Sequence, residues 1–256
     1  MVGTVLADMW GEHMDTKDPK AAASSPRGLR PLLRAAPFGS GNDKGMTQIL
    51  TEKQQAELAS IATEVHLRPR ATVYTADSSA HSAFIVKDGM VKAFLDLSRG
   101  SQRVLAFLFP GDVFGLAENG RYVNSVQTVT PTTCFKIPVS ALTEMFVRDG
   151  ELELQFLFKM THELREAQRQ QIILTHRDAR IRVAMFLRML QRRNDGSSHI
   201  ELAMSRLDIA RYLGLSSEAV SRATARLSRE GIVAFPSLRV AQVINRSEFD
   251  RLTRAA

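Results

Sequence analysis

The sequence predicts an α+β protein of two domains, and three observations support this class. Short β-rich runs separated by turn residues extend from Thr72 to about Pro138. A stretch without proline or glycine follows, from Glu151 to Thr175. The C-terminal part then contains two short helical patterns and a pair of β-rich runs. A chain of 256 residues can form one or two ordinary cores, so we expect the strand-rich and helix-rich parts to fold separately.

The N-terminal part of the chain shows little folding signal. Residues 1–45 are rich in Ala, Ser, Pro and Gly without sustained periodicity, so they are expected to be a disordered extension, with Met46 as an alternative natural start. Thr51 is a candidate N-cap, and Leu58 and Val65 belong to an apolar pattern with helical spacing. We therefore predict a short amphipathic helix before the first strand.

The β-rich part predicts a β-roll or jelly-roll domain over residues 46–150. The segment "AFIVKDGMVKAFLDL" reads as two strands around Asp88-Gly89, a pair that favours a tight hairpin. Further strands are predicted in "QRVLAFLF", "DVFGL", "YVNSVQTV" and "TTCFKI". Many short strands with regular turn signals are typical of closed or two-sheet β architectures.

The proline-free stretch predicts one long helix, assigned to residues 151–176. At 1.5 Å per residue it would be about 37 Å long. A 3-4 spacing typical of a coiled-coil seam is followed by Leu157, Met160, Leu164, Ala167, Gln171 and Leu174. The spacing favours a helix that pairs with a second copy, although a helix packed on its own domain would show a similar stripe.

The charge of the chain is concentrated at its C-terminal end, in a domain assigned to residues 177–256. The net charge is +7, and this segment holds 15 arginines, no lysine and 8 acidic residues, so it carries the entire excess. The guanidinium group is a planar fork that suits phosphate and the edge of guanine. The composition alone also fits an ordinary solvated basic surface, so motifs must decide between the two.

The deciding motif is "MSRLDIARYLGLSSEAVSRATARLSREGIV", Met204–Val233. It predicts a first helix from Arg206 to Leu213, a turn at Gly214, and a second helix capped by Ser216 or Ser217 and running to about Arg229. This pattern is typical of a helix-turn-helix. The following "GIVAFPSLRVAQVIN" predicts two short strands about a Pro236-Ser237 turn, which would form a wing.

The second helix of this motif carries candidate base-reading residues. Glu218, Ser221 and Arg222 lie at i, i+3 and i+4 near its N-terminus, on the part that enters the major groove of DNA. Arg222 can donate to guanine O6 and N7, Glu218 can accept from a cytosine amino group, and Ser221 can meet a base edge or a thymine methyl. Candidate contacts to the DNA backbone are Ser205, Ser217, Arg226 and Arg239.

With these residues in view, the chain from about Thr51 to Ala256 resembles the Crp/Fnr superfamily of bacterial transcription regulators, and "SSEAVSR" is similar to the Fnr/FixK branch. The resemblance implies a cyclic-nucleotide-binding-like β-roll, a dimerisation helix and a winged helix-turn-helix. It also implies a homodimer on double-stranded DNA at an inverted repeat of the TTGAT-N4-ATCAA kind. Contact with RNA polymerase and transcription activation would follow from it.

The sequence departs from two cofactor patterns of the superfamily. The iron–sulfur cluster of Fnr needs four cysteines, and this chain has one, Cys134. Cyclic-nucleotide receptors hold ribose and phosphate with a Gly-Glu and an Arg-Ser pair, where this chain has Gly115-Leu116 and Asn124-Ser125. We therefore predict no cofactor and no metal, and we predict that cyclic AMP is not bound.

An effector-gated gas sensor is the alternative function. Haem could use one of His66, His81, His162 and His176, although none lies in a diagnostic motif. Cys134 lies in an apolar strand and is expected to be a buried thiol rather than a redox sensor. A motif for a phosphate-binding loop, a metal cluster or a nucleophile elbow is missing from the sequence, so we predict that the protein is not an enzyme. No apolar run is long enough to span a bilayer, and a cytoplasmic location is expected by default.

Overall fold

A computed structural model of the protein describes residues 51–194 and 196–254. The expected disordered extension, residues 1–45, lies outside the described residues. The chain divides into two compact units, one formed by the residues up to 93 with 107–163, the other by 94–106 with the residues from 164 onward. The long predicted helix contributes residues to both units.

The N-terminal part of the structure consists of a short helix, eight strands and two further helices. Their bounds are α1 (Glu52–Ile61), β1 (Thr63–Leu67), β2 (Thr72–Tyr74), β3 (Ser82–Asp88), β4 (Val91–Asp96), β5 (Gln102–Leu108), β6 (Val113–Phe114), β7 (Ser125–Thr128), β8 (Thr132–Pro138), α2 (Val139–Arg148) and α3 (Gly150–Thr175). A 3₁₀ turn, Ser98–Gly100, connects β4 to β5. This arrangement confirms the predicted β-roll, whereas α2 was not predicted.

The strands form two four-stranded sheets, ordered β1-β8-β3-β6 and β2-β7-β4-β5. The prediction of a hairpin around Asp88-Gly89 is therefore wrong in its pairing, because β3 and β4 belong to different sheets. β3 pairs antiparallel with β8 instead, with Ile85 opposite Phe135. Gly89 turns the chain with φ +85°, and a Cβ there would lie 2.2 Å from the carbonyl oxygen of Pro131. The turn residues were identified correctly, but they carry the chain between sheets.

The core of the first unit lies between the β1-β8-β3-β6 sheet and the three helices next to it. Buried side chains from all these elements form one cluster: Leu58, Ala83, Ile85, Val113, Phe135, Ile137, Leu142, Met145, Leu152 and Phe156. Burial of this apolar surface is the main force that holds the helices on the sheet. Cys134 is buried in β8, and burial raises the pKa of its thiol to about 12.

Helix α1 begins where the sequence indicated. The Thr51 hydroxyl accepts a hydrogen bond from the Gln54 backbone at 3.2 Å, and the Gln54 side chain accepts one from the Thr51 backbone, which completes a capping box. The helix ends at Ile61, however, and Val65 lies in β1. In β1 Val65 pairs with Cys134 of β8, so its apolar side chain belongs to the sheet and not to the helix.

Helix α3 carries a buried ion pair on the face toward the first unit. Lys159 Nζ lies 3.1 Å from Asp112 Oδ1 and 3.1 Å from Glu163 Oε1, and the Lys159 side chain is only 4% exposed. Such a pair is tolerated in an apolar interior when each charge has partners. Asp112 is also bonded to the backbone N–H of Phe109, so the pair holds α3 against the turn between β5 and β6.

The C-terminal part consists of four helices and a three-stranded sheet. Their bounds are α4 (Ala179–Arg193), β9 (His199–Glu201), α5 (Arg206–Leu213), α6 (Ser217–Arg229), β10 (Val233–Ser237), β11 (Val240–Val243) and α7 (Arg246–Thr253). The sheet order is β10-β11-β9, all antiparallel. Here α5, α6 and the two-stranded wing confirm the predicted winged helix-turn-helix. The sequence interpretation missed α4, β9 and α7.

Among the described residues, none of the helices combines the length and apolar character that crossing a bilayer requires. Within the same residues, no group of three or more His, Cys, Asp or Glu side chains is arranged to hold a metal ion.

Candidate nucleic-acid interface

The turn between α5 and α6 is fixed by local sequence. Gly214 ends α5 in the left-handed region with φ +62°, and the Leu215 N–H returns to the carbonyl of Ala210 at 2.9 Å. Ala210 is buried, and its small side chain allows α6 to cross closely. Arg182 of α4 donates to the Leu213 carbonyl at 2.9 Å. This bond supplies a partner to a carbonyl in the last turn of α5, where helix carbonyls have no partner within the helix.

Helix α6 has one buried and one exposed face. Its N-cap is Ser216, whose hydroxyl accepts from the Ala219 N–H at 3.1 Å. The side chains of Val220, Ala223 and Leu227 are buried at helical spacing. This packing fixes the rotation of the helix, so the opposite face is directed to solvent.

The three predicted base-reading residues come together on the exposed face. Glu218, Ser221 and Arg222 are all exposed, and all lie in the first half of α6. Hydrogen bonds from the backbone at the helix start and from the Ser216 side chain, together with the charge of Arg222, hold the pKa of the Glu218 carboxyl below its usual range. Glu218 is therefore ionised at neutral pH and can only accept hydrogen bonds.

The wing follows α6, but its turn lies further along than predicted. Ser237 of β10 pairs with Val240 of β11, so Leu238 and Arg239 form the turn and Pro236 lies within the strand. The Arg239 N–H donates to the Ser237 hydroxyl at 3.2 Å. Arg239 is exposed at the tip of the wing, where a cation can reach a DNA phosphate.

The two serines that were candidates for backbone contacts are used differently. Ser205 caps α5, and its hydroxyl donates to the Asp208 carboxylate at 2.6 Å while accepting from the Asp208 N–H. The hydroxyl proton is thus already used, and a carboxylate lies beside it, which argues against the expected phosphate contact at Ser205. Ser217 is the first residue of α6 rather than its cap and is half-buried.

Arg226 lies one turn after Arg222 on the exposed face of α6. Its side chain is 52% exposed, and its Nε donates to Glu230 Oε1 at 2.9 Å. Glu230 also accepts from Arg180 of α4. The arginine predicted to touch DNA phosphate is therefore held by a neighbouring carboxylate, a contact that the sequence analysis missed.

A further missed contact joins the two helices to the wing. Arg206, the first residue of α5, donates to the Thr224 hydroxyl at 2.9 Å, and its guanidinium carbon lies 5.9 Å from the centre of the Phe235 ring. The spacing of 18 residues to Thr224 gives no periodic signal in the sequence. Arg206 therefore stabilises the relative placement of α5, α6 and the wing, and it adds positive charge to the same surface.

Comparison with protein families matches both parts of this architecture. Residues 64–149 match the cyclic nucleotide-binding domain, and residues 181–252 match the Crp-like helix-turn-helix domain. The FixK nitrogen fixation regulation protein of Azorhizobium caulinodans is 32% identical over 200 residues, which is 76% of this chain and 81% of FixK. The chain belongs to the Crp/Fnr family of DNA-binding transcription regulators.

Other members of the Crp/Fnr family give the same result. The transcriptional activatory protein AadR of Rhodopseudomonas palustris is 31% identical over 210 residues, covering 78% of this chain and 84% of AadR. The structure of FixK2 from Bradyrhizobium japonicum superimposes with a TM-score of 0.72 at 33% identity and covers 77% of this chain and 99% of FixK2. The similarity to the Fnr/FixK branch inferred from "SSEAVSR" is therefore confirmed.

Helix α3 corresponds to the dimerisation helix that the Crp/Fnr resemblance implied. The apolar residues on its exposed face are only in part those of the predicted seam. Apolar side chains exposed by 41–60% lie along it: Leu154, Leu157, Phe158, Leu164 and Ile172. The predicted seam residues Leu157, Leu164, Ala167 and Gln171 are exposed, and Leu174 is half-buried. Met160 is half-buried and packs partly against the core of the first unit, so its place in the seam stays a prediction. The exposed stripe is rotated around the helix because α3 must also cover that core.

Three side chains at or next to the β-roll positions that the resemblance associates with cyclic nucleotides are packed or hydrogen-bonded within the fold. Leu116, in place of a ribose-binding carboxylate, packs against the apolar core of the first unit. The phenol of Tyr122 is buried, donates to the Ser82 carbonyl at 2.7 Å and stacks on Tyr74 with ring centres 3.7 Å apart. Ser125 is buried, and its hydroxyl accepts from the Ala76 N–H. These groups supply no cation for a phosphate and no carboxylate for a ribose.

Proposed function

We propose that the chain binds an inverted repeat of the TTGAT-N4-ATCAA kind as a homodimer and activates transcription there. The observation that carries the proposal is the exposed face of α6. Glu218, Ser221 and Arg222 occupy it directly after a helix-turn-helix turn, in the half of the helix that enters the major groove. The spacing matches the Fnr/FixK pattern.

The chemistry of the three side chains fits that target. Arg222 can fork onto the O6 and N7 of the guanine in TTGAT, and an ionised Glu218 can accept from the amino group of a cytosine. Ser221 is small and can lie against a base edge or a thymine methyl. Arg226 and Arg239 are exposed cations beside this face, and we assign them to phosphates.

Homodimerisation is proposed through the exposed apolar stripe of α3. An inverted repeat needs two recognition helices about 34 Å apart, which one chain of this kind does not provide. Leu157 and Leu164 are 58% and 60% exposed and lie seven residues apart on one helix face. Pairing two such helices would bury apolar surface that is otherwise in water.

Activation through RNA polymerase is proposed from the relatives alone. AadR of Rhodopseudomonas palustris and Anr of Pseudomonas aeruginosa are named as transcriptional activators. We extend that role to this chain and place its work in the cytoplasm, where DNA and polymerase are found. We assign it no enzymatic activity.

The sensory β-roll is proposed to work without cyclic AMP. Leu116, Tyr122 and Ser125 are each committed to the core or to backbone groups, which supports this proposal. Titration calorimetry with cyclic AMP should give no binding heat up to millimolar ligand, and the nucleotide should leave DNA affinity unchanged. Saturable binding with tighter DNA association would contradict it.

The test of the main proposal is a comparison of two duplexes. Purified protein should bind a fluorescent TTGAT-N4-ATCAA palindrome at least about a thousandfold more tightly than a scrambled duplex of equal composition at moderate salt. A duplex with one half-site scrambled serves as the control for dimer binding. Equal affinity for palindrome and scrambled duplex, with or without air, would refute the proposed specificity.

A further inference from the structure

A carboxylate directly after the recognition helix binds two arginines. Glu230 Oε1 accepts from Arg226 Nε at 2.9 Å, and Oε2 accepts from Arg180 Nη1 at 2.7 Å. Arg226 lies on α6, whereas Arg180 lies on α4, fifty residues away from Glu230. Both carboxylate oxygens are thus used, and the three side chains connect α4 to the DNA-facing helix.

Exposure differs along this chain of contacts. The Arg180 and Glu230 side chains are 19% and 31% exposed, whereas that of Arg226 is 52% exposed. The hydrogen bond from Arg180, together with that from Arg226, holds the pKa of the Glu230 carboxyl below its usual range. Glu230 is therefore charged at neutral pH. The less exposed Arg180 binds one of its oxygens, and the more exposed Arg226 binds the other.

Glu230 binds the Nε of Arg226, so the two terminal nitrogens of this guanidinium remain available for DNA. Its hydrogen bond uses Nε, and the group has four more N–H donors on its two terminal nitrogens. Those two nitrogens form the end of the fork that meets a phosphate in a bidentate contact. A guanidinium held at Nε loses less side-chain entropy when it binds DNA than one that is unrestrained.

We propose that Glu230 is a positioning residue for DNA binding, which orients Arg226 so that its terminal nitrogens meet a backbone phosphate. The inference rests on the phosphate-contact role proposed above for Arg226. A carboxylate near DNA would by itself repel phosphate, but here two guanidiniums flank it. Asp178 also lies 3.5 Å from Arg180, so the four side chains together are neutral rather than acidic. Orientation therefore outweighs repulsion, and loss of Glu230 weakens binding although it makes the domain more basic.

The test compares variants by fluorescence anisotropy on palindromic and random duplexes over a range of salt. Glu230→Ala should weaken binding to both duplexes by roughly fivefold. The slope of log K against log salt should fall by about one, the signature of one lost phosphate contact. Glu248→Ala is the matched control, because Glu248 pairs with Arg251 in α7 and its loss changes the net charge equally. This control should not weaken binding.

A double-mutant cycle separates orientation from general effects. Adding Glu230→Ala to Arg226→Ala should cause no further loss, because the arginine to be positioned is already gone. Arg226→Lys, which keeps the charge but not the fork, should lose affinity like Glu230→Ala, and it provides a test if Glu230→Ala does not fold as judged by circular dichroism.

Several outcomes would overturn the inference. Glu230→Ala could bind DNA as tightly as the Glu248→Ala control, its loss could persist in the Arg226→Ala background, or Arg226→Lys could bind like the unmodified protein. An Arg226→Ala variant with unchanged affinity and salt slope would remove the phosphate role of Arg226 and the inference with it. Preference for the palindrome over random duplex would still stand in that case, so the two failures are distinguishable.

Discussion

The two units of this protein direct their polar groups in opposite ways. In the first, the hydroxyls of Tyr122 and Ser125 are buried and bonded to the protein's own backbone. In the second, Glu218, Ser221 and Arg222 are exposed on one helix face. The first set of polar groups is used within the fold, and the second set remains exposed to solvent.

The treatment of charge shows the same contrast. The first unit buries Lys159 against Asp112, where the ion pair holds a helix on the β-roll. In the second unit Arg226 lies at the surface, and its Nε donates a hydrogen bond to Glu230. In the first unit the ion pair is buried in the packed scaffold of the β-roll. In the second unit the ion pair lies at the surface, where the inference above assigns it a role in positioning Arg226.

The largest expected effect concerns the helix that lies in both units. Leu164→Glu should abolish the dimer, because it places a charge in the apolar stripe of α3. Affinity for the palindrome should fall by roughly a thousandfold, since two linked half-site contacts become one. Sedimentation and anisotropy measure the two effects. Val147→Glu adds the same charge at an exposed position on α2 and should leave both unchanged; an intact Leu164→Glu dimer would disprove the proposed interface.

The next effect tests the scaffold role of the first unit. Lys159→Met should lower the free energy of unfolding by about 3 kcal/mol, because it leaves the Asp112 carboxylate buried without its cation. Lys53→Met, at a side chain 85% exposed, should change it by less than about 0.5 kcal/mol. Chemical denaturation of both variants gives the comparison. Equal, small losses would mean that the buried pair contributes little to this scaffold.

A smaller effect tests specificity in the second unit. Arg222→Ala should cost about 1–3 kcal/mol of binding to the palindrome and relax the preference at one base pair of each half-site. Binding to random duplex should change far less. Arg251→Ala removes an arginine from α7, away from the helix-turn-helix, and controls for the loss of charge. A loss that is the same on random DNA would count against a base contact by Arg222.

The smallest effect is a pH dependence confined to the first unit. Hydrogen bonds from the Gln54 side chain and the Leu152 backbone hold the pKa of the Asp149 carboxyl below its usual range. A carboxyl whose pKa is lower in the folded state stabilises the protein above its unfolded-state pKa, and this contribution disappears as pH falls through the folded-state pKa.

The unmodified protein should therefore melt at a higher temperature than Asp149→Asn at neutral pH, and the difference should vanish below about pH 4. Calorimetric scans across that range measure it. DNA affinity at neutral pH should be the same for both proteins, since Asp149 acts within the β-roll. If the two proteins still differed in melting temperature in acid, Asp149 would stabilise the fold by something other than its ionised carboxylate.

Features of the fold that depend on neighbouring residues could be predicted from the sequence. The bounds of α5 and α6 followed from Gly214 and the serine cap, because a helix end is set within about one turn of chain. The exposed face of α6, with Glu218, Ser221 and Arg222, followed from helical spacing in the same way. The capping box at Thr51 is another local feature that was identified correctly.

Features that depend on distant partners could not be predicted, because they are set by packing between remote segments. The strands on either side of Gly89 separate into two sheets because β3 pairs with β8, and no local signal records that choice. Met160 packs against the core of the first unit, a contact that helical spacing alone does not show. The contact of Glu230 with Arg180 spans fifty residues. Hydrophobic periodicity shows on which face of its own helix a residue lies. It does not show which other element packs against that face, because that depends on segments far away in the sequence.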